Sequence, residues 1–150
     1  MTEMNTAPQL APRERCTGCA ACCNGCPKGA IRMVPDREGF LYPQVTDGCV
    51  QCGHCTHICP VLKQREPRTE PAAFIVWNGD EAVRRNSTAG GAFSALAEYV
   101  LEGGGVVFGA ALDSGLRVSH IAVKNRHDLP QLRGSKPVQS DVGESYQQVR

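Results

Sequence analysis

The sequence predicts an α+β protein in two unequal parts, a small cysteine-rich module followed by an incomplete α/β domain. Three observations predict it. First, CTGCAACCNGCP at residues 16–27 and CVQCGHCTHICP at residues 49–60 lie over each other without a gap. Second, all nine cysteines fall before residue 60, and ordinary apolar patterning takes over from Ala72. Third, that later stretch mixes β-branched runs with an amphipathic helical segment, the pattern of an α/β layer.

Composition sets the boundaries. Residues 1–15 are polar, carry Pro8 and Pro12, and read as a flexible tail; residues 16–62 hold every thiol. KQREPRTEP at residues 63–71 is charged and proline-bearing, which marks a linker before the second domain at 72–150. Sixteen basic against fifteen acidic side chains leave no electrostatic footprint for nucleic acid or an anionic membrane surface. The N-terminus lacks the apolar core of a signal peptide, and no apolar run approaches the roughly 20 residues that span a bilayer. Dense cysteines without a leader point to thiolate ligands in a reducing, cytoplasmic setting rather than to a disulfide scaffold.

Each copy of the repeat reads C-x2-C-x2-C-x3-C-P, the spacing of bacterial iron–sulfur sites in which the fourth cysteine serves the other cluster. Two-residue gaps let one loop wrap a cubane and offer three sulfurs to three irons. The proline then presets φ for the first turn of a short helix, where a missing N–H costs little. On this reading one [4Fe–4S] cluster takes Cys16, Cys19, Cys22 and Cys59, and the other takes Cys49, Cys52, Cys55 and Cys26. Zinc held by four cysteines is the alternative, although tetrahedral zinc draws two ligands from each of two knuckles and fits this spacing poorly. Cys23 has no counterpart, since Thr56 occupies the matching place, and reads as a small semi-buried filler, the alternative being a replacement ligand or redox-sensing thiol. His54 and His57 read as partly solvated loop residues.

Around the ligands, KGAIRMV gives a helical turn and a short strand, EGFLYPQV a second strand of a small hairpin, and CPVLKQ another turn. Large apolar residues are few, so the clusters must supply the missing core and the metal-free module should unfold. Beyond the linker, AAFIVWN at 72–78 reads as a strand and DEAVRRNS as a short helix. Ala92 to Glu102 places Phe93, Leu96, Ala97, Val100 and Leu101 on one helical face before a glycine stop. Ser87, Thr88, Gly90 and Gly91 precede it, either as cap and close-packing glycines or as an anion-binding helix start. VVFGAAL at 106–112 and LRVSHIAV at 116–123 read as strands, HDLPQLRGS as a helical turn, KPVQSD as extended, and VGESYQQVR as the beginning of a helix. Lys136, with Ser135, is either a further anion contact or a surface lysine.

Residues 16–62 resemble a two-cluster bacterial ferredoxin domain of the pseudo-two-fold α+β kind, which implies one-electron transfer. With STAGGAFSALAEY, GGVVFGAA and RGSKPVQSD following in that order, residues 16–150 are similar to the coenzyme F420 hydrogenase/dehydrogenase beta-subunit family. That resemblance implies FAD in the second domain, with Ser87, Thr88, Gly90, Gly91, Ser135 and Lys136 as flavin contacts. It also implies electrons passing through the clusters between a hydrogenase or dehydrogenase subunit and a small acceptor such as coenzyme F420. Relatives include chlorophyll-cycle reductases and proteins of polysaccharide biosynthesis, so the substrate does not transfer automatically. Family members run on well past residue 150, so the catalytic domain is expected to be incomplete, with either a missing partner or poor ordering beyond about residue 125. The rival readings are a stand-alone dicluster carrier with a docking module, and a structural zinc-binding interaction module.

Overall fold

The computed structural model describes residues 8–63 and 71–149; the first seven residues of the tail and most of the linker lie outside the described residues. Contacts divide the chain into two units, one containing 8–63 together with 142–149, the other 71–141. The C-terminal segment thus joins the cysteine-rich unit, whereas the sequence reading kept it with the second domain.

In the first unit, α1 (Ala21–Gly25) and α2 (His54–Ile58) are single turns inside the two cysteine loops. They precede the proline rather than follow it. Each ends on the fourth cysteine of its motif, with Cys26 (φ −68°, ψ 116°) and Cys59 (φ −68°, ψ 118°) as C-caps. A proline one step past a C-cap cannot extend the helix, so it terminates the turn instead of starting one. His54 and His57 therefore lie on a helix, not in a loop, and both are exposed. The two turns pack together because Gly25 lacks a Cβ: one added there would run into Ile58, its own counterpart in the repeat.

Between them, β1 (Ile31–Pro35) pairs antiparallel with β2 (Leu41–Val45). Asp36 makes the turn, its Oδ1 accepting from the N–H groups of Glu38 (2.9 Å) and Phe40 (3.0 Å), with Gly39 at φ 89°. Fully buried apolar groups in this unit amount to Ala20, Ala30, Ile31 and Cys55 among the described residues, too few for a conventional core. α5 (Ser145–Gln148) is tied on by Asn24, whose Nδ2 donates to Gly143 O at 2.8 Å, and by Gln147, whose Nε2 donates to Asn24 O at 3.2 Å.

The second unit builds a core of its own. α4 (Ala92–Glu102) packs on the antiparallel hairpin of β3 (Val107–Leu112) and β4 (Val118–Val123), and a 3-10 turn at Leu129–Leu132 adds its leucines to the same core. Ala97, Leu101, Ala111, Val123, Leu129 and Leu132 form the cluster, and Leu132 seats against the bare backbone of Gly109. α3 (Glu81–Arg85) starts on Asp80, whose Oδ1 accepts from Ala82 N at 2.7 Å.

Four expectations need correction here. Residues 72–78 form no strand. Phe74, Ile75, Val76 and Trp77 are exposed, because β-propensity without a neighbouring ladder leaves backbone groups to water. The buried face of α4 is Ser94, Ala97 and Leu101, while Phe93, Leu96 and Val100 are exposed; the small residues win because the hairpin approaches closely. The N-cap of α4 is Gly91 at φ 75° rather than Ser87 or Thr88, and Ser87 Oγ instead donates to Val83 O at 2.7 Å. Past residue 125 the chain is held, not loose: Leu129 is fully buried, and Asp141 bridges to Ser119.

Candidate functional site

The duplicated loops have the same backbone although their residues differ. Gly18 (φ 63°) and Ala20 (φ 58°) take left-handed conformations in the first copy; their counterparts Gln51 (φ 57°) and Gly53 (φ 71°) do so in the second. Left-handed backbone strains a residue with a Cβ by about 1–2 kcal/mol. Each copy relieves one of the two positions with glycine and tolerates strain at the other.

Each loop curls around a cavity. One is lined by Cys16, Cys19, Cys22 and Cys59, with Met33 and Val61 among its apolar walls. The other is lined by Cys26, Cys49, Cys52 and Cys55, together with Lys28 and His54. Three cysteines of each set come from one copy and the fourth from the other, because each C-cap thiol turns away from its own loop. These are the two groups of four that the repeat predicts. Among the described residues, no three His, Cys, Asp or Glu side chains converge enough to share one metal ion. Zinc would draw its thiolates to about 2.3 Å from a single centre, whereas a four-iron core gives each thiolate an iron of its own. The donor chemistry and its spread fit the core of several irons.

Electrostatics favour a cationic guest. Burial pushes the Cys22 thiol up to about 11, and the adjoining Cys19, Cys16 and Cys23 thiols add to this against a hydrogen bond from the Cys23 N–H. Four thiolates cannot collect in such a cavity without metal charge to offset them, so iron uptake must release protons. Backbone amides also point at the sulfurs: Ala30 N donates to Cys26 Sγ at 3.3 Å and Gln51 N to Cys49 Sγ at 3.4 Å. Cys23 lies outside both sets, half-buried, with Sγ donating to Ile31 O at 2.9 Å, which ties the loop to β1.

The second unit holds a separate cavity of about 370 Å³. Ser87, Thr88, Gly90, Gly91 and Ser135 all line it. Lys136 does not: its Nζ turns back to donate to Arg133 O (2.8 Å) and Gln131 O (3.2 Å). The cation at the cavity is Arg133, whose Nε donates to the buried Ser94 Oγ at 3.0 Å. The sequence reading missed both, although Arg133 opens the RGSKPVQSD segment it singled out. No side chain caps the start of α4, so hydroxyls, uncapped amides and a guanidinium face one space. This set fits the diphosphate of a dinucleotide such as FAD.

Comparisons with known proteins match the two parts of the chain separately. Residues 15–62 match the family model described as a 4Fe-4S dicluster domain, and residues 73–145 match that of coenzyme F420 hydrogenase/dehydrogenase, beta subunit N-term. An uncharacterized ferredoxin of Methanocaldococcus jannaschii is 35% identical over 51 residues, covering 34% of this chain and 66% of the relative. An uncharacterized polyferredoxin-like protein of the same organism is 32% identical over 64 residues, covering 37% of this chain and 38% of the relative. The chain thus spans about two thirds and about two fifths of the lengths of these two curated relatives. The first unit is therefore an iron–sulfur module, and the role that follows is electron transfer. No helix among the described residues is long and apolar enough to cross a membrane.

Proposed function

We propose, from the premise that this chain joins a 4Fe-4S dicluster domain to the N-terminal domain of coenzyme F420 hydrogenase/dehydrogenase beta subunits, that it is the electron-transfer component of a flavin-dependent oxidoreductase. Cys16, Cys19, Cys22 and Cys59 would hold one [4Fe–4S] cluster, and Cys49, Cys52, Cys55 and Cys26 the other. The observation that carries the reading is that these two sets line two separate cavities. FAD would lie along the cavity of the second unit, with Thr88, Gly90, Gly91, Ser135 and Arg133 about its diphosphate. A bound flavin supplies the exchange between two-electron and one-electron chemistry. The chain's own part is to place the cofactors, to direct N–H groups at sulfur, and to keep cationic and hydroxyl groups against phosphate. The acceptor would be a small hydride-carrying molecule of the coenzyme F420 class, the partner a hydrogenase or dehydrogenase subunit, and the setting cytoplasmic.

A second reading is favoured by one fact: both curated relatives match over short stretches of 51 and 64 residues, and are ferredoxin-like by name. On it, the protein is a dicluster carrier whose second unit only docks.

Anaerobic purification decides between them. The first reading expects a brown protein with about eight irons and eight sulfides per chain, and a fluorescent flavin that is lost on Arg133→Ala. Clusters with no affinity for added FAD leave the carrier reading. A colourless, zinc-loaded protein sinks both.

A further inference from the structure

Resting on the two-cluster reading, we propose that the two cavities are tuned apart, with Lys28 making the Cys26/Cys49/Cys52/Cys55 cavity the site of higher reduction potential, where the first electron resides. The repeat offers an internal control, since equivalent positions can be compared in one molecule. Lys28 lines one cavity, and its counterpart in the repeat, Val61, lines the other. His54 likewise replaces Ala21. Met33 and Pro43 close the first cavity with apolar groups, whereas Cys52 is exposed at the second and its counterpart Cys19 is half-buried.

Reduction adds one negative charge to a core already surrounded by four thiolates. A cation at the cavity wall, and contact with water, both stabilise that added charge and raise the potential. Burial of single thiols does not settle the order, because Cys55 is better buried than its counterpart Cys22. The order rests instead on Lys28, an exposed cation at the wall of one cavity where the equivalent position at the other is Val61. Arg15 is the competing cation. Its Nη2 donates to Val61 O at 3.4 Å near the first cavity, but it does not line that cavity.

The test is a stepwise dithionite titration of the anaerobic full chain, read by electron paramagnetic resonance. Each cluster gains one electron and dithionite is oxidised to sulfite, with no bond in the protein made or broken. Work at about pH 8.5 lies well above the ordinary imidazole range and removes histidine protonation from the comparison. The wild-type protein should show two separate midpoints. Lys28→Val should lower the upper one alone, and Val61→Lys should raise the lower one alone. Lys28→Gln gives the same readout if the valine variant loads poorly with iron, and Arg15→Gln should move either midpoint less than Lys28→Val does. Coincident wild-type midpoints, a Lys28 variant that shifts the lower one or neither, or a dominant effect of Arg15 would overturn the proposal. In each of those cases the cluster signals persist; their complete absence would overturn the two-cluster reading itself.

Discussion

The two units solve the same problem with different materials. The second places Leu129, Leu132, Leu101 and Val123 in a shared apolar centre beneath one helix and one hairpin. The first has a hairpin of similar size and two single-turn helices, yet its fully buried groups are chiefly alanine, one isoleucine and one cysteine. Where the apolar centre would be, it has two thiol-lined cavities. The contrast teaches that a chain can specify a fold by specifying ligands, and that such a fold has the stability of its metal and little besides.

The strongest way to break the contrast is to take the iron away. Anaerobic chelation should abolish amide protection across β1 and β2 while leaving β3 and β4 protected, read by hydrogen exchange with mass spectrometry. Equal loss in both units would refute it. The converse attack is Leu129→Ala, which removes a fully buried side chain and should cost the second unit about 2–5 kcal/mol. Thermal unfolding should show that loss with the visible cluster absorbance unchanged.

A finer comparison sets the two hairpin turns side by side. Asp36 and Asp113 play one role: Asp113 Oδ1 accepts from Gly115 N (2.8 Å) and Arg117 N (2.9 Å), as Asp36 does from Glu38 and Phe40. The first turn puts Gly39 in the left-handed position, whereas the second forces Leu116 into it at φ 61°. Leu116 is 80% exposed, so little packing is lost on its removal. Leu116→Gly should stabilise the second unit by about 0.5–1 kcal/mol, after the entropy that glycine loses is set against the strain relieved; a lower unfolding midpoint would contradict the strain argument.

The smallest effect concerns pH. Asn125, then His127, hydrogen-bond the Asp128 carboxylate and hold it below the usual range. A depressed folded value means that its contribution is present above the unfolded carboxylate value of about 3.9 and fades as pH falls through the folded one. Asp128→Asn should therefore lower stability slightly at neutral pH and leave it nearly unchanged at strongly acid pH, flattening the acid limb, as acid titrations of unfolding would register.

Much of the candidate site was legible because ligands that must reach one guest repeat at fixed spacing, and spacing is visible in letters. The crossing of Cys26 and Cys59 needed only the rule that the fourth thiol leaves its loop. The segment at 72–78 misled because strand-forming composition says nothing about whether a partner strand is present. The face of α4 misled for a related reason. Of the five residues that helical periodicity placed on one face, only Ala97 and Leu101 are buried, and Ser94, which it did not include, is buried with them. Arg133 was invisible because its role depends on Ser94 holding its guanidinium across 39 residues of chain, a contact that no local pattern announces.

Each single-turn helix bears at its end the thiol that lines its twin's cavity. The two halves are thereby joined like links of a chain, each closed only by a member borrowed from the other. Displacing either helix would therefore withdraw a thiol from the cavity of its twin as well as disturb its own.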